Sequence, residues 1–154
     1  MTDGGNDELP DPEDVIAGER SDDHGVGDDL PDPEQIVRIH DRIEEEYELT
    51  HTGAAVASPR LKLERILEEV DEYEGTFVRA AALLRKVLTA HLFEDANKRT
   101  SWTVTVIYLD DRSAEPAERG DQAEKVLKRI RCYSVEEIAE WLANGTIDEG
   151  PLRR

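Results

Sequence analysis

A chain of 154 residues has room for one domain plus a tail, and a domain of that size buries roughly two-thirds of its unfolded-chain surface. Charged residues make up 36% of it and the formal net charge is −18, which argues against a basic face that tracks a phosphate backbone, so nucleic acid is not an expected partner. Cys132 is the only cysteine, which excludes an intrachain disulfide and a cysteine-based zinc site.

Residues 1–29 are rich in Asp, Glu and Gly and poor in apolar side chains. Such a composition cannot offset the entropy of ordering, so this stretch reads as a disordered acidic tail and residues 30–154 as the folded domain. Within the tail, Leu9-Pro10-Asp11-Pro12-Glu13 recurs as Leu30-Pro31-Asp32-Pro33-Glu34. Both copies look like helix starts, with Asp as N-cap and Pro at the first helical position, and only the second continues into a long amphipathic pattern. The alternative makes the first copy a peptide that mimics or displaces the second.

Ile36, Ile39, Ile43 and Tyr47 predict an amphipathic helix from Pro33 into the acidic stretch 44–48, with His40 at the edge of a helix interface. Residues 49–57 break the period and suit a loop or short hairpin. Ser58-Pro59 then caps a second helix, with Leu63, Ile66, Leu67, Val70 and Tyr73 on one face and Gly75 as its stop. From Phe77 to Leu92 the chain is apolar almost all round, the mark of a helix at the centre of a bundle. The next helix should begin near Asn97 and carry Trp102, Val106, Ile107 and Leu109 inward. After a loop around Pro116 comes a helix with Ala123, Val126, Leu127 and Ile130, and then a capping box, Ser134-Val135-Glu136-Glu137, opening a last short helix that Asn144-Gly145 ends. Trp102 and Trp141 read either as core residues or as a partner contact. The sum is an all-α fold of about six helices without a strand ladder.

Between the two central helices runs His91-Leu92-Phe93-Glu94-Asp95-Ala96-Asn97-Lys98-Arg99-Thr100. A helix N-terminus offers exposed N–H groups and about half a positive charge, which together favour an anion. Lys98 and Arg99 oppose that dipole, a poor local choice unless an anion is expected there. Asp95 is a hard oxygen ligand suited to a magnesium ion shared with phosphate oxygens. Asn97 can cap the helix or bond a phosphate, and His91 can accept a proton near neutral pH, a role worth about 10²- to 10⁴-fold in rate. Phe93 is expected to pin the loop into the core as structural support.

His-x-Phe-x-Asp-Ala-Asn-Lys-Arg resembles the signature of the Fic/Doc superfamily, in particular its death-on-curing (Doc) branch, the toxin half of toxin–antitoxin pairs. Its seven specified positions would arise by chance in on the order of 10⁻⁷ of chains this long. Ile39-His40-Asp41, the connection from Gly53 to Pro59, Tyr73-Glu74-Gly75 and the buried helix before His91 also resemble the family's layout, over about residues 34–143.

The resemblance implies a compact helical bundle with a short flap and a protein substrate. His91 would deprotonate the target hydroxyl and Asp95 would hold Mg2+. Asn97, Lys98 and Arg99, with the backbone of Ala96, would contact the phosphates of ATP. Thr50, His51, Thr52, Gly53, Ala54, Ala55, Val56 and Ala57 would form the flap, docking the target by main-chain pairing. Family AMP-transferases have glycine where this chain has Lys98. The lysine goes with the opposite nucleotide orientation and with phosphorylation of a protein hydroxyl, a translation elongation factor being the best-known kind of target. The alternatives are AMP transfer to a protein hydroxyl and a non-catalytic binding module on the same fold. No Ser/Thr-x-x-x-Glu-Gly/Asn inhibitory motif is present, so restraint is expected from a separate antitoxin protein.

The sequence contains no apolar run of membrane-spanning length, and its acidic N-terminus lacks the features of a signal peptide, so no membrane association and a cytoplasmic location are expected. Acidic residues persist through the folded part, as at 44–46, 68–69 and 136–137. That pattern fits a protein of a high-salt cytoplasm, where salt screens their repulsion. Circular dichroism should therefore show structure lost in low salt and restored by concentrated KCl, and equal structure in both would contradict this reading.

Overall fold

The first helix, α1 (Pro33–Tyr47), is fastened at its start by a reciprocal cap. Gln35 donates its N–H to Asp32 Oδ1 at 2.9 Å, and Asp32 donates its N–H to Gln35 Oε1 at 3.0 Å. Pro33 sits in the first turn, where a missing N–H costs nothing. This computed structural model describes residues 30–47, 58–93 and 97–153. Among them are six α-helices and two short 3₁₀ turns, with no strand, so the fold is all-α.

Ile36, Ile39 and Ile43 face the core from α1. The second helix, α2 (Pro59–Asp71), buries Leu63, Ile66 and Val70. Ser58 occupies its N-cap position but makes no side-chain capping bond; its carbonyl accepts from Lys62 N–H at 3.1 Å instead. Arg60 ties the first turns of α1 and α2 together, donating from Nε to Glu34 at 2.5 Å, and this hydrogen bond holds the Glu34 carboxyl below its ordinary range.

Gly75 is not the stop of α2. That helix ends at Asp71, and Gly75, at φ +100°, is the N-cap of α3 (Thr76–Ala90), a conformation that glycine adopts without a Cβ penalty. What satisfies the end of α2 is the guanidinium of Arg79 in α3, which donates to the carbonyl of Tyr73 at 2.8 Å and to the carbonyl and carboxylate of Asp71, both at 3.1 Å. A cation at a helix C-terminus also opposes the negative end of the macrodipole.

The third helix is the centre of the bundle, in contact with α2, with α4 (Asn97–Asp111) and with α6 (Val135–Asn144). Every residue from Ala80 to Leu84 is without exposure to solvent. In α4, residues 99–106 are all buried, together with Tyr108 and Leu109, whereas Ile107, expected inward, is half-buried. A short α5 (Asp121–Lys128) leads through the 3₁₀ turn Ile130–Cys132 into α6. There Ser134 and Glu137 form the anticipated capping box, at 3.1 and 2.8 Å, and Gly145 ends the helix at φ +76°. Trp102 and Trp141 are both core residues, 6.0 Å apart between ring centroids, and Trp141 donates from Nε1 to Gln122 at 2.9 Å. Tyr133 holds the C-terminal segment by donating its hydroxyl to the Asp148 carbonyl at 2.6 Å, and burial raises its pKa above the ordinary tyrosine value. None of the helices described is long and apolar enough to cross a membrane.

Four hydroxyl residues of α4 are wholly buried: Thr100, Ser101, Thr103 and Thr105. Ser101 donates to the Lys98 carbonyl at 3.1 Å and Thr105 to the Ser101 carbonyl at 2.8 Å. Thr103 Oγ1 is buried without a hydrogen-bond partner. An unsatisfied hydroxyl in a core costs about 1–3 kcal/mol, and valine has nearly the same shape without the polar atom. Thr103→Val should raise the unfolding free energy by about 1 kcal/mol in urea titration at an unchanged m-value. Destabilisation would show that this hydroxyl is satisfied in solution.

Candidate functional site

The site begins where α3 leaves the core. His91 follows Ala90 with φ 49° and ψ 56°, a left-handed conformation, and its N–H reaches back to the Leu88 carbonyl at 3.4 Å. Glycine commonly occupies such a helix end, and a side chain there stores strain, although histidine is among the residues that tolerate it better. The turn reverses the chain so that Leu92 and Phe93 re-enter the core, at 0% and 3% exposure, while His91 itself stays exposed.

Asn97 opens α4 and reaches back over the turn. Its Nδ2 donates to the Phe93 carbonyl at 2.8 Å and its Oδ1 accepts the Phe93 N–H at 3.2 Å. The side-chain amide thus caps the loop main chain, at the head of a 15-residue helix whose dipole presents its positive end there. Lys98 is half-buried in the first turn and Arg99 is buried, at 6% exposure. A guanidinium shielded from solvent acts on its surroundings with little salt screening. The structure thus joins Phe93 and Asn97 directly and sets Lys98 and Arg99 at the next two positions of α4. Asp95 and Ala96, and the flap residues Thr50, His51, Thr52, Gly53, Ala54, Ala55, Val56 and Ala57, lie outside the described residues.

His40 packs against this turn, a contact that sequence reasoning did not anticipate. Rather than lying at an interface edge, it is 1% exposed at the junction of α1, the loop and α4. Its Nδ1 lies 3.1 Å from Thr100 Oγ1 and its Nε2 2.9 Å from Glu44 Oε2. Its ring stacks on that of Phe93, with centroids 3.6 Å apart and planes 11° from parallel. The available signal was spacing: Ile36, His40 and Glu44 recur at four-residue intervals on the inward face of one helix. On the same helix, burial pushes the Asp41 carboxyl above its ordinary pKa, with the attraction of His40 partly offsetting this and Glu44 adding to it.

Among the described residues, no group of three or more His, Cys, Asp or Glu could hold a metal ion. Magnesium bound with a nucleotide does not require one, because it keeps several waters and shares phosphate oxygens with one or two carboxylates.

The profile of the Fic/DOC family matches residues 22–109, more than half of the chain, from ahead of α1 to near the end of α4. The chain belongs to the Fic/DOC family. No curated protein matches it. Members of the Fic/DOC family generally transfer phosphate or AMP to hydroxyls of proteins, typically with ATP and magnesium. In this Fic/DOC chain the histidine of the motif is the left-handed residue that ends α3.

That position sets stability against chemistry. His91→Gly should raise the unfolding free energy by about 1 kcal/mol, because glycine takes this conformation without strain. Thermal unfolding at fixed salt reads the change, and a lower midpoint would mean that the imidazole makes contacts worth more than the strain.

Proposed function

We propose that this protein is a Doc-type kinase, a toxin that transfers the γ-phosphoryl group of ATP to a hydroxyl of a target protein and is restrained by a separate antitoxin. The observation that carries this reading is Lys98 in the first turn of α4, half-buried beside the head of the helix, at the motif position where family AMP-transferases have glycine. A lysine there takes up space and adds charge where a polyphosphate would lie.

In the proposed reaction, His91 accepts the proton of the target hydroxyl from its exposed turn. The freed oxygen forms a bond to the γ-phosphorus, the bond from that phosphorus to the β,γ-bridging oxygen breaks, and ADP leaves with the electron pair. Phosphoryl transfer demands positioning and charge neutralisation more than covalent chemistry, so a small set of groups suffices. Lys98 supplies charge at the helix head, Arg99 supplies it from a position that solvent barely reaches, and the positive end of the helix dipole favours the anion. Asn97 holds the loop main chain, and the backbone of Ala96 adds a phosphate contact. Asp95 would hold magnesium, which when bound neutralises phosphate charge. The flap at Thr50–Ala57 would align the target by main-chain pairing, with a translation elongation factor as the candidate target and the cytoplasm as the location.

The test is mass spectrometry of a target incubated with the protein and Mg-ATP, where a phosphate adduct is expected. An AMP adduct would transfer the assignment to nucleotidyl transfer, and failure to bind Mg-ATP by calorimetry would favour a binding module. His91→Ala should lower phosphate incorporation by at least about 10²-fold with ATP affinity nearly unchanged, and full retention of transfer would remove His91 from the role of base.

A further inference from the structure

The turn that carries His91 is held at Phe93 from two sides. Asn97 fixes its main chain, and His40 lies flat on its ring. An aliphatic residue at position 40 would fill the same space without polar atoms to satisfy, so a buried imidazole is the costlier choice for packing alone. What the imidazole adds is orientation. Hydrogen bonds at opposite edges of the ring, to Thr100 in the first turn of α4 and to Glu44 one turn along α1, set the plane of the ring, and the parallel stack transmits that plane to Phe93. When Glu44 accepts from Nε2–H and the ring is neutral, Nδ1 accepts the Thr100 hydroxyl proton, and when the ring is protonated Nδ1–H donates to that hydroxyl. Glu44 can serve as acceptor because its side chain is 16% exposed and keeps contact with water.

We propose that His40 is a positioning residue of the transfer site: oriented by Glu44 and Thr100, it holds Phe93, and through Phe93 the His91 turn, in the geometry that accepts the target proton. This rests on His91 acting as the base. His40 itself touches neither nucleotide nor target. Its effect belongs to the turnover step rather than to nucleotide affinity, since a misplacement of about 1 Å can cost about 10²-fold in rate.

The test uses the full chain with His40→Leu, Glu44→Ala and Glu44→Gln, each compared with wild type for kcat, for KM of ATP and for amide hydrogen exchange. His40→Leu should lower kcat by about 10- to 100-fold with KM for ATP within about twofold. The Phe93 N–H should exchange at least about tenfold faster, while amides at the middle of α3, such as Leu83, keep their protection. Glu44→Gln, which retains an acceptor oxygen, should recover most of the kcat lost in Glu44→Ala. Wild-type kcat in His40→Leu together with unchanged Phe93 exchange overturns the proposal. If His40→Leu does not fold, wild-type kcat in Glu44→Ala overturns it. Should wild type show no transfer, or His91→Ala match wild type, the kinase reading is what fails. In that event Phe93 exchange still decides the anchor, faster exchange in His40→Leu upholding it and an unchanged rate overturning it.

Discussion

Ala80, Ala81, Ala82, Leu83 and Leu84 follow one another in α3 without any exposure to solvent, so neighbouring helices must close around this helix at once. Three consecutive alanines let backbones approach closely, and each buried leucine contributes roughly 1.5–3 kcal/mol. The rest of the architecture answers to that constraint. No side chain of that stretch reaches water, and the first residue past the C-terminal end of α3, His91, is exposed. The same packing presses α4 against α3 and sets its N-terminus beside the turn. The exposed imidazole and the positive helix head thus lie together at the C-terminal end of a buried helix.

The core nevertheless admits polar groups, in one region. His40, Arg99 and the hydroxyls of Thr100, Ser101, Thr103 and Thr105 are all buried, and all but His40 lie within the first nine residues of α4. By contrast, the ion pairs between α1 and α2 (Arg60–Glu34) and between α2 and α3 (Lys86–Glu69) involve exposed carboxylates and contribute little. Polarity in the interior is concentrated where the loop meets the helix head, and there it serves geometry more than stability.

Much of the fold was legible because its signals are local. Isoleucine spacing in α1, the all-round apolar run of α3, and the caps at Asp32 and Ser134 each depend on residues within a few positions of one another. Gly75 was misread because a glycine with positive φ can close one helix or open the next. The choice was made by Arg79, whose guanidinium reaches back to the end of α2. The motif residues were legible as candidates because they form one contiguous run. His40 was not, since its bond to Thr100 spans sixty positions of sequence and its stack on Phe93 requires α1 to be docked first. Asn97 offered two roles on paper, a cap for the helix ahead or a phosphate contact, and its side chain instead bonds the main chain of the loop behind it.

That amide has a consequence in polymer terms. By joining Phe93 to Asn97 it closes a ring of chain around positions 94–96, so the ends of this short loop are fixed relative to each other before any ligand arrives. The entropy of bringing those ends together is lost once, during folding, and is not charged against each binding event. Lengthening the ring by even one residue would return part of that cost to any ligand held there, which makes the spacing from Phe93 to Asn97 as consequential for affinity as the identity of the side chains within it.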